Sequence, residues 1–134
     1  DNFLIRNKTI INKPWGHEEI WANTSRYAGK TLHIKAGHRL SRQYHRAKEE
    51  TIMVLEGTLV LEAGPYHEGD IIHTHILAPG DVFHVSPGTI HRFCADEIDA
   101  VLVEVSTSEI DDVVRLEDDY SRIEVPKALR ASEK

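Results

Sequence analysis

Short apolar segments separated by turn-forming glycine and proline residues recur along most of the chain. Residues 31–35 alternate polar and apolar side chains with the period of two that a half-buried β-strand requires. Residues 51–55 and 58–62 are both strand-like and flank a short turn at Gly57, which predicts a β-hairpin. No segment has the periodicity of a long amphipathic helix. The sequence therefore predicts an all-β domain of antiparallel strands, arranged as a sandwich or barrel.

The rest of the chain contains further strand-like segments and some less regular regions. The additional predicted strands are residues 71–77, 81–85, 91–94 and 100–105. Residues 1–12 are weakly apolar and could add an edge strand in this subunit or in a partner. Residues 106–122 could include a helical turn, whereas residues 127–134 are polar, as expected of a frayed end.

Size and composition favour one globular domain and exclude several classes of protein. With 134 residues, of which 40% are hydrophobic and 28% charged, we expect a single soluble domain over residues 1–134. Its core should cover residues 13–122, followed by a polar tail over 123–134. The net charge of −6 counts against nucleic-acid binding, because that affinity comes mainly from clustered Lys and Arg. No apolar stretch approaches the roughly 18 residues that span a bilayer, so we expect no membrane contact. Cys94 is the single cysteine, which fits the reducing cytoplasm where we expect the protein.

Four polar residues in two segments could converge on one metal ion. Gln43 and His45 lie two positions apart, so in a strand they project to the same face. A turn then returns the chain, and Glu50 can face them from the next strand. His91 closes the second segment. Imidazole, carboxylate and amide oxygen around one point make a site for a divalent metal, so we take these four residues as the candidate ligands.

The turn residues around these two segments strengthen this interpretation. The chain has nine histidines, so one pair at metal-ligand spacing is weak evidence by itself. Gly37 and Gly57 bracket the first segment, and Gly80 and Gly88 bracket the second, as turns between strands would require. The His-Thr-His segment at 73–75 has the same histidine spacing without a following acid or a glycine frame. We interpret that segment as strand residues that could line a pocket.

The two segments resemble the paired motifs of the cupin superfamily, in which the first motif supplies three metal ligands and the second supplies the last histidine. Here Gln43 stands where most cupins have histidine. The pattern Leu-Ser-x-Gln-x-His-x-x-Lys-x-Glu over residues 40–50 is similar to the signature of cupin-type (type II) mannose-6-phosphate isomerases. Further matching blocks begin at Lys13 and Glu104. The resemblance covers residues 13–122 and implies a cupin barrel, which is an antiparallel double-stranded β-helix.

The resemblance also implies an activity and a metal. It implies a metal-dependent aldose–ketose isomerase acting on a sugar phosphate, similar to mannose-6-phosphate isomerase. The ion would polarise the substrate carbonyl and stabilise the enediolate formed when a proton leaves the adjacent carbon. Zinc (Zn2+) is the expected ion, because no redox chemistry is needed. Manganese, iron, nickel and cobalt (Mn2+, Fe2+, Ni2+, Co2+) stay open, because ligand type alone does not exclude them.

Four cationic or titratable residues are candidates for substrate binding or proton transfer. Lys48 shares strand parity with Glu50, so we expect its ammonium group on the metal side, where it could bind a phosphate or sugar oxygen. An ordinary surface lysine is the alternative for this residue. His84 could act as a base or as a hydrogen-bond donor to a ligand. Arg122 is supported by the resemblance alone, and Lys30 could reach the mouth of the barrel.

Two other functions stay open. The first is a metal-dependent dioxygenase or lyase acting on a small molecule, although Gln43 counts against an iron dioxygenase, which normally offers more imidazole. The second is a non-catalytic sugar-binding module that keeps its metal as a structural staple. We expect a small-molecule sugar or sugar phosphate as partner, and a homodimer with Trp15 and Trp21 in the core or at the interface. His17 and His33 have no spacing argument for a functional role.

Overall fold

The computed structural model describes residues 5–65 and 71–123, which contain β-strands and no α-helix. The strands are β1 (Thr9–Lys13), β2 (Gly16–Asn23), β3 (Tyr27–Ile34), β4 (Arg42–Tyr44), β5 (Glu50–Glu56), β6 (Leu59–Pro65), β7 (His73–Leu77), β8 (Val82–Val85), β9 (Thr89–Ala95), β10 (Ala100–Thr107) and β11 (Val114–Glu117). Within these ranges the chain has no helix long and apolar enough to cross a membrane.

The strands form two antiparallel sheets that share one apolar core. The six-stranded sheet has the order β1-β2-β3-β10-β5-β8, and the five-stranded sheet has the order β11-β4-β9-β6-β7. The first sheet buries Leu32, Ile34 and Val54, and the second buries Leu59 and Phe93. All five belong to one hydrophobic cluster, so the two sheets pack against each other. The prediction of an all-β fold of antiparallel strands is confirmed.

The hairpin predicted at Gly57 is wrong. β5 pairs with β8 and β10 in the six-stranded sheet, whereas β6 pairs with β7 and β9 in the five-stranded sheet. The turn therefore carries the chain from one sheet to the other. Gly57 has a φ of 76°, and a side chain there would clash with the carbonyl oxygen of Asp99. The inward residues of the two strands, such as Val54 and Leu59, pack across the core because burial outweighs pairing with the neighbour in sequence.

The predictions for residues 1–12 and for residues 106–122 have different outcomes. The edge strand expected within residues 1–12 is confirmed as β1, which pairs with β2 at one edge of the six-stranded sheet. The helical turn expected within 106–122 does not form; that region contains bends, turns and β11, which pairs with β4. The frayed end predicted for 127–134 lies outside the described residues.

Candidate metal centre

The four candidate ligands come from both sheets. Gln43 lies on β4 and His45 directly follows that strand, while His91 lies on β9 of the same sheet. Gln43 and His91 are directly opposed in the β4–β9 pair. Glu50 opens β5 in the other sheet. The connection between β4 and β5 therefore bridges the two sheets and brings an acid to face the histidines.

Three of these side chains meet in the protein interior. One carboxylate oxygen of Glu50 lies 3.1 Å from Nε2 of His45 and 3.3 Å from Nε2 of His91. The exposed fractions of His45, Glu50 and His91 are 3%, 2% and 1%. Their donor atoms lie within 4.8 Å of one another, which is compact enough for one ion. We call these three residues the buried triad.

Backbone carbonyl groups fix the orientation of both histidine rings. Nδ1 of His45 lies 2.5 Å from the carbonyl oxygen of Asp112, and Nδ1 of His91 lies 2.9 Å from that of Thr89. A carbonyl oxygen only accepts, so each Nδ1 carries a hydrogen and donates it. Nε2 of each neutral ring then offers its lone pair to the interior. The Asp112 carboxylate also accepts from the backbone N–H groups of residues 46–48, which holds the loop next to His45.

The donor set of the buried triad fits a divalent cation. With both rings neutral, two Nε2 lone pairs and a carboxylate oxygen face one another with no hydrogen between them. Among the described residues, His91 Nε2 has no hydrogen-bond partner. Buried acceptors in this position are costly, and a cation would satisfy them together. Imidazole nitrogen with carboxylate oxygen suits zinc and other first-row divalent ions.

Gln43 lies beside the triad, and its role as a fourth ligand stays a prediction. Its side chain is half-buried and lines the cavity described below. The Ser41 hydroxyl donates to Gln43 Oε1 at 2.6 Å. An amide oxygen has a second lone pair, so this hydrogen bond orients the side chain and still leaves an acceptor for an ion.

Two lysines and two further acids form a buried charge network next to the triad. Lys48 Nζ lies 3.4 Å from Glu50 Oε2 and 3.3 Å from Glu104 Oε2. Lys30 Nζ lies 3.7 Å from the same Glu104 oxygen and 3.2 Å from Glu18 Oε2. The expectation that Lys48 shares a face with Glu50 agrees with this geometry. Its ammonium group is shared between two carboxyl groups.

The two central carboxyl groups have pKa values displaced in opposite directions. Burial raises the pKa of Glu104 to about 8, and the nearby Glu50 carboxylate adds to this shift. Burial also opposes ionisation of Glu50, but the hydrogen bond from Glu104 and the positive charge of Lys48 hold the pKa of Glu50 well below its usual value. Glu104 therefore keeps its proton near neutral pH, and Glu50 is charged.

We expect the metal-free protein to lose stability as the pH rises from about 5 to about 8. The unfolded chain releases the Glu104 proton near the usual pKa of 4.5, whereas the folded chain holds it to about 8. The stabilisation that comes from holding this proton is therefore fully present below the pKa of the unfolded chain. It is lost as the pH rises through the pKa of the folded chain. The loss should be roughly 2–4 kcal/mol for a group this buried. Glu50, with its lowered pKa, acts in the opposite sense and only below this window.

Glu104→Gln supplies the matched comparison, because the amide imitates the protonated carboxyl group. Denaturant unfolding in the presence of a chelator, repeated across this pH range, should give a nearly flat dependence for the variant. If the unfolding free energies of wild type and Glu104→Gln changed with pH in the same way, the assignment of the proton to Glu104 would be contradicted.

A cavity of about 350 Å³ opens beside the triad, with Gln43 and His45 in its wall. Five cationic side chains also line it: Lys13, Lys30, Lys48, Arg115 and Arg122. The acidic lining residues are Glu18, Glu104 and Asp111. Small-molecule sites typically enclose about 300–1,000 Å³. The cavity thus has the size and the cationic lining to receive a small anionic molecule.

The structure places His84 away from the triad. In the β5–β8 pair, His84 is opposite Thr51, whereas Glu50 is opposite Val85. Alternate residues of a strand face opposite sides, so His84 points to the outside of the sheet. Its Nε2 lies 2.8 Å from a Glu49 carboxylate oxygen, and about half of the side chain is exposed. The geometry therefore does not support the proton-transfer role expected for His84.

Arg122 does reach the cavity. Its Nε and one terminal nitrogen donate to the two carboxylate oxygens of Asp118 at 2.9 and 3.0 Å. The guanidinium carbon lies 5.4 Å from the centre of the Tyr120 ring. These contacts hold the side chain in one direction at the cavity wall.

Sequence reasoning gave no role to Glu104 or Asp112. One feature of the sequence could have pointed to Glu104. It is a charged residue in an otherwise apolar strand, two positions from buried Leu102 and therefore on the same inward face. Such a residue is almost never buried without a partner. No comparable signal exists for Asp112, because its contact with the β4–β5 loop spans more than sixty positions of sequence.

Comparison with known proteins agrees with this fold. Residues 2–118 match the protein family described as mannose-6-phosphate isomerase C-terminal. The chain is 26% identical over 125 residues to the alginate biosynthesis protein AlgA of Pseudomonas aeruginosa, covering 90% of this chain and 24% of that protein. It is 30% identical over 119 residues to the mannose-1-phosphate guanylyltransferase of Escherichia coli, covering 84% of this chain and 23% of that protein. The chain therefore spans about a quarter of the length of the curated relatives it matches.

A solved structure supports the fold. The capsular polysaccharide assembling protein CapF from Staphylococcus aureus superposes with a TM-score of 0.72 at 18% sequence identity, covering 82% of this chain and 34% of that one. Similarity at this level of identity speaks for the architecture alone. With the family match over residues 2–118 and the two antiparallel sheets, the chain is a cupin domain that belongs to the mannose-6-phosphate isomerase C-terminal family.

Proposed function

We propose that this domain is a metal-dependent isomerase that interconverts an aldose phosphate and the corresponding ketose phosphate. The observation that carries the proposal is the buried triad, in which both histidine Nε2 atoms and Glu50 face one point. This point adjoins a cavity lined by five cationic side chains. A metal site next to a pocket for an anion is what such a reaction needs, because one end of the substrate reacts and the other carries the phosphate.

The residues would divide the work between holding the metal, binding the phosphate and moving a proton. A divalent metal held by His45, Glu50 and His91, with Gln43 as the proposed fourth ligand, would supply Lewis-acid polarisation of the substrate carbonyl. Arg122 lines the cavity and would bind the phosphate oxygens.

We assign proton transfer to Glu104 in the metal-loaded protein, where an ion on Glu50 would offset the negative charge that helps to keep Glu104 protonated in the metal-free protein. Isomerisation requires a group that takes a proton from the carbon next to the carbonyl and returns one to the former carbonyl carbon. Glu104 lines the cavity and is not a member of the buried triad. Lys30 and Lys48 both contact Oε2 of its carboxyl group, so they would hold the group in place while it exchanges the proton.

The comparisons favour a sugar phosphate as the substrate class. The matching family is described by an activity on mannose 6-phosphate, and the Escherichia coli relative is named for mannose 1-phosphate. The full activity of those longer proteins does not transfer to this chain by similarity, because the chain corresponds to about a quarter of each.

A coupled assay for interconversion of mannose 6-phosphate and fructose 6-phosphate tests the proposal. The metal-loaded chain should turn over either hexose phosphate, and Glu50→Gln or a chelator should remove the activity. His84→Asn is the matched control, because His84 is a histidine paired with a carboxylate outside the cavity. If folded, metal-loaded wild type binds the sugar phosphates without converting them, the non-catalytic sugar-binding alternative replaces the isomerase.

The homodimer expected from the sequence is also a proposal, and the outer face of the six-stranded sheet offers a surface for it. Met53, Val82 and Val105 lie on neighbouring strands of that face and are 37%, 59% and 53% exposed. Trp21 on the same sheet is 48% exposed, whereas Trp15 is in the core. Contiguous exposed apolar side chains commonly mark association sites. Light scattering of the purified chain should give twice the monomer mass.

A further inference from the structure

A second group of metal-ligating side chains lies on the outer face of the six-stranded sheet. His17 and Glu19 are two positions apart on β2, and His33 is directly opposite His17 on β3. Glu18, between His17 and Glu19, and Leu32, which precedes His33, both line the cavity. Alternation along the strands therefore turns the other three side chains outwards, away from the buried triad. We call these three residues the outer cluster.

The outer cluster is compact. The rings of His17 and His33 are stacked, with centroids 4.2 Å apart and planes inclined by 11°. Nε2 of His33 lies 3.3 Å from Oε1 of Glu19. One donor atom from each residue lies within 4.8 Å of the others, and all three side chains are partly buried. Among the described residues, the buried triad is the one other group that meets this spacing.

These distances approach those of a real metal site. Donor atoms held about 2.0–2.1 Å from a tetrahedral zinc ion lie roughly 3.3–3.5 Å from one another. The Glu19–His33 pair already has this separation. The ligand atom of His17 lies within 4.8 Å of the other two, and its partly exposed side chain can change rotamer without disturbing core packing.

The surroundings leave one carboxylate oxygen available. Lys8 Nζ binds Oε2 of Glu19 at 2.6 Å, and Oε1 faces His33. The hydrogen bond from Lys8 is the main reason that the pKa of Glu19 is lowered, with a smaller contribution from His33, so the carboxylate is ionised at neutral pH. Lys8 is itself half-exposed and can move away when a cation arrives.

We propose that His17, Glu19 and His33 form a second metal site, which binds a first-row divalent ion such as Zn2+ and keeps one coordination position open to solvent. Two imidazoles and one carboxylate are a donor set that zinc accepts in proteins. A shared proton would satisfy one His–Glu contact at most, whereas a divalent ion satisfies all three side chains. An ion here ties β2 to β3 on the face opposite the cavity, so the site is independent of the proposed isomerase activity.

Zinc titration of the metal-free protein, followed by NMR of the histidine side chains, tests this proposal. The imidazole resonances of His17 and His33 should shift on zinc addition and reach a plateau. Glu19→Gln and His33→Asn should weaken binding at this site by at least roughly 100-fold, the upper end of what loss of an outer-shell partner costs. His84→Asn should change nothing, because His84 pairs with Glu49 and belongs to neither group of potential ligands.

Equilibrium dialysis measures the number of zinc ions bound per chain. Wild type should hold two zinc ions per chain, and Glu19→Gln and His33→Asn should each hold one. The His17 and His33 resonances decide the case whatever happens at the buried triad. If they stay in place at saturating zinc, or shift equally in wild type and Glu19→Gln, the second site does not exist.

Discussion

Replacing both His45 and His91 with alanine should empty the buried metal site and abolish isomerisation. The two Nε2 atoms are the neutral donors of the triad, and only Glu50 and the proposed ligand Gln43 would be left to hold the ion. A single buried carboxylate that already has Lys48 as a partner has little affinity for a divalent cation. We expect the activity to fall by at least about a hundredfold, the loss typical when one preorganised electrostatic contact is removed.

Metal analysis should be made in a His33→Asn background, which lacks the proposed outer site. The bound metal should then fall from one ion per chain to none. Circular dichroism checks that the double variant keeps its strands. Glu50→Gln, which preserves shape and removes the charge, serves as a second test if the double variant does not fold. Retention of one tightly bound ion in a folded double variant would show that the ligands lie elsewhere.

The convergence of this site was predictable because it depends on local rules. Gln43 and His45 share a face by the period of two. A turn before Glu50 then reverses the chain. The glycine-framed segment ending at His91 supplies the opposing strand, and the observed pair of Gln43 with His91 places it there. Parity and turns act over a few residues and account for Gln43, His45 and Glu50, whereas the part of His91 was indicated by the resemblance to the paired cupin motifs.

Pairing between distant strands was not predictable in the same way. The segments flanking Gly57 look like a hairpin, but each finds its partners elsewhere: β5 beside β10 and β6 beside β9. The choice depends on how two apolar faces bury each other, which no window of sequence contains. His84 shows the same limit, because its direction depends on the register of β8 against β5.

The buried charges were missed for a related reason. Glu104 meets Lys48 because β10 lies between β3 and β5, and it meets Lys30 through the same arrangement. The outer cluster likewise depends on the register that sets His17 opposite His33. None of these residues stands out in the sequence, because only the strand order and register bring them together. Their roles can therefore be inferred only once the arrangement of the sheets is known.

The second large effect should come from Lys48→Met, which removes a buried cation and keeps most of the side-chain volume. Lys48 was expected to bind substrate, but its ammonium group lies within 3.4 Å of Glu50 and Glu104 and is almost fully buried. Removing one member of a buried charge group leaves the others uncompensated, which costs about 3–5 kcal/mol. We therefore expect the metal-free variant to lose stability on this scale at pH 7.5, measured by denaturant unfolding.

Lys48→Arg and added metal separate the charge effect from a packing defect. Arginine keeps the positive charge, so this variant should lose markedly less stability than Lys48→Met, with the remaining loss coming from its larger side chain. A divalent ion bound by Glu50 would become a new positive partner for that carboxylate, so saturating zinc should reduce the difference in unfolding free energy between wild type and Lys48→Met. If poor packing alone caused the loss, metal would leave this difference unchanged. A methionine variant as stable as wild type in the presence of a chelator would show that Lys48 does not compensate these acids, and its role would return to direct contact with the substrate phosphate.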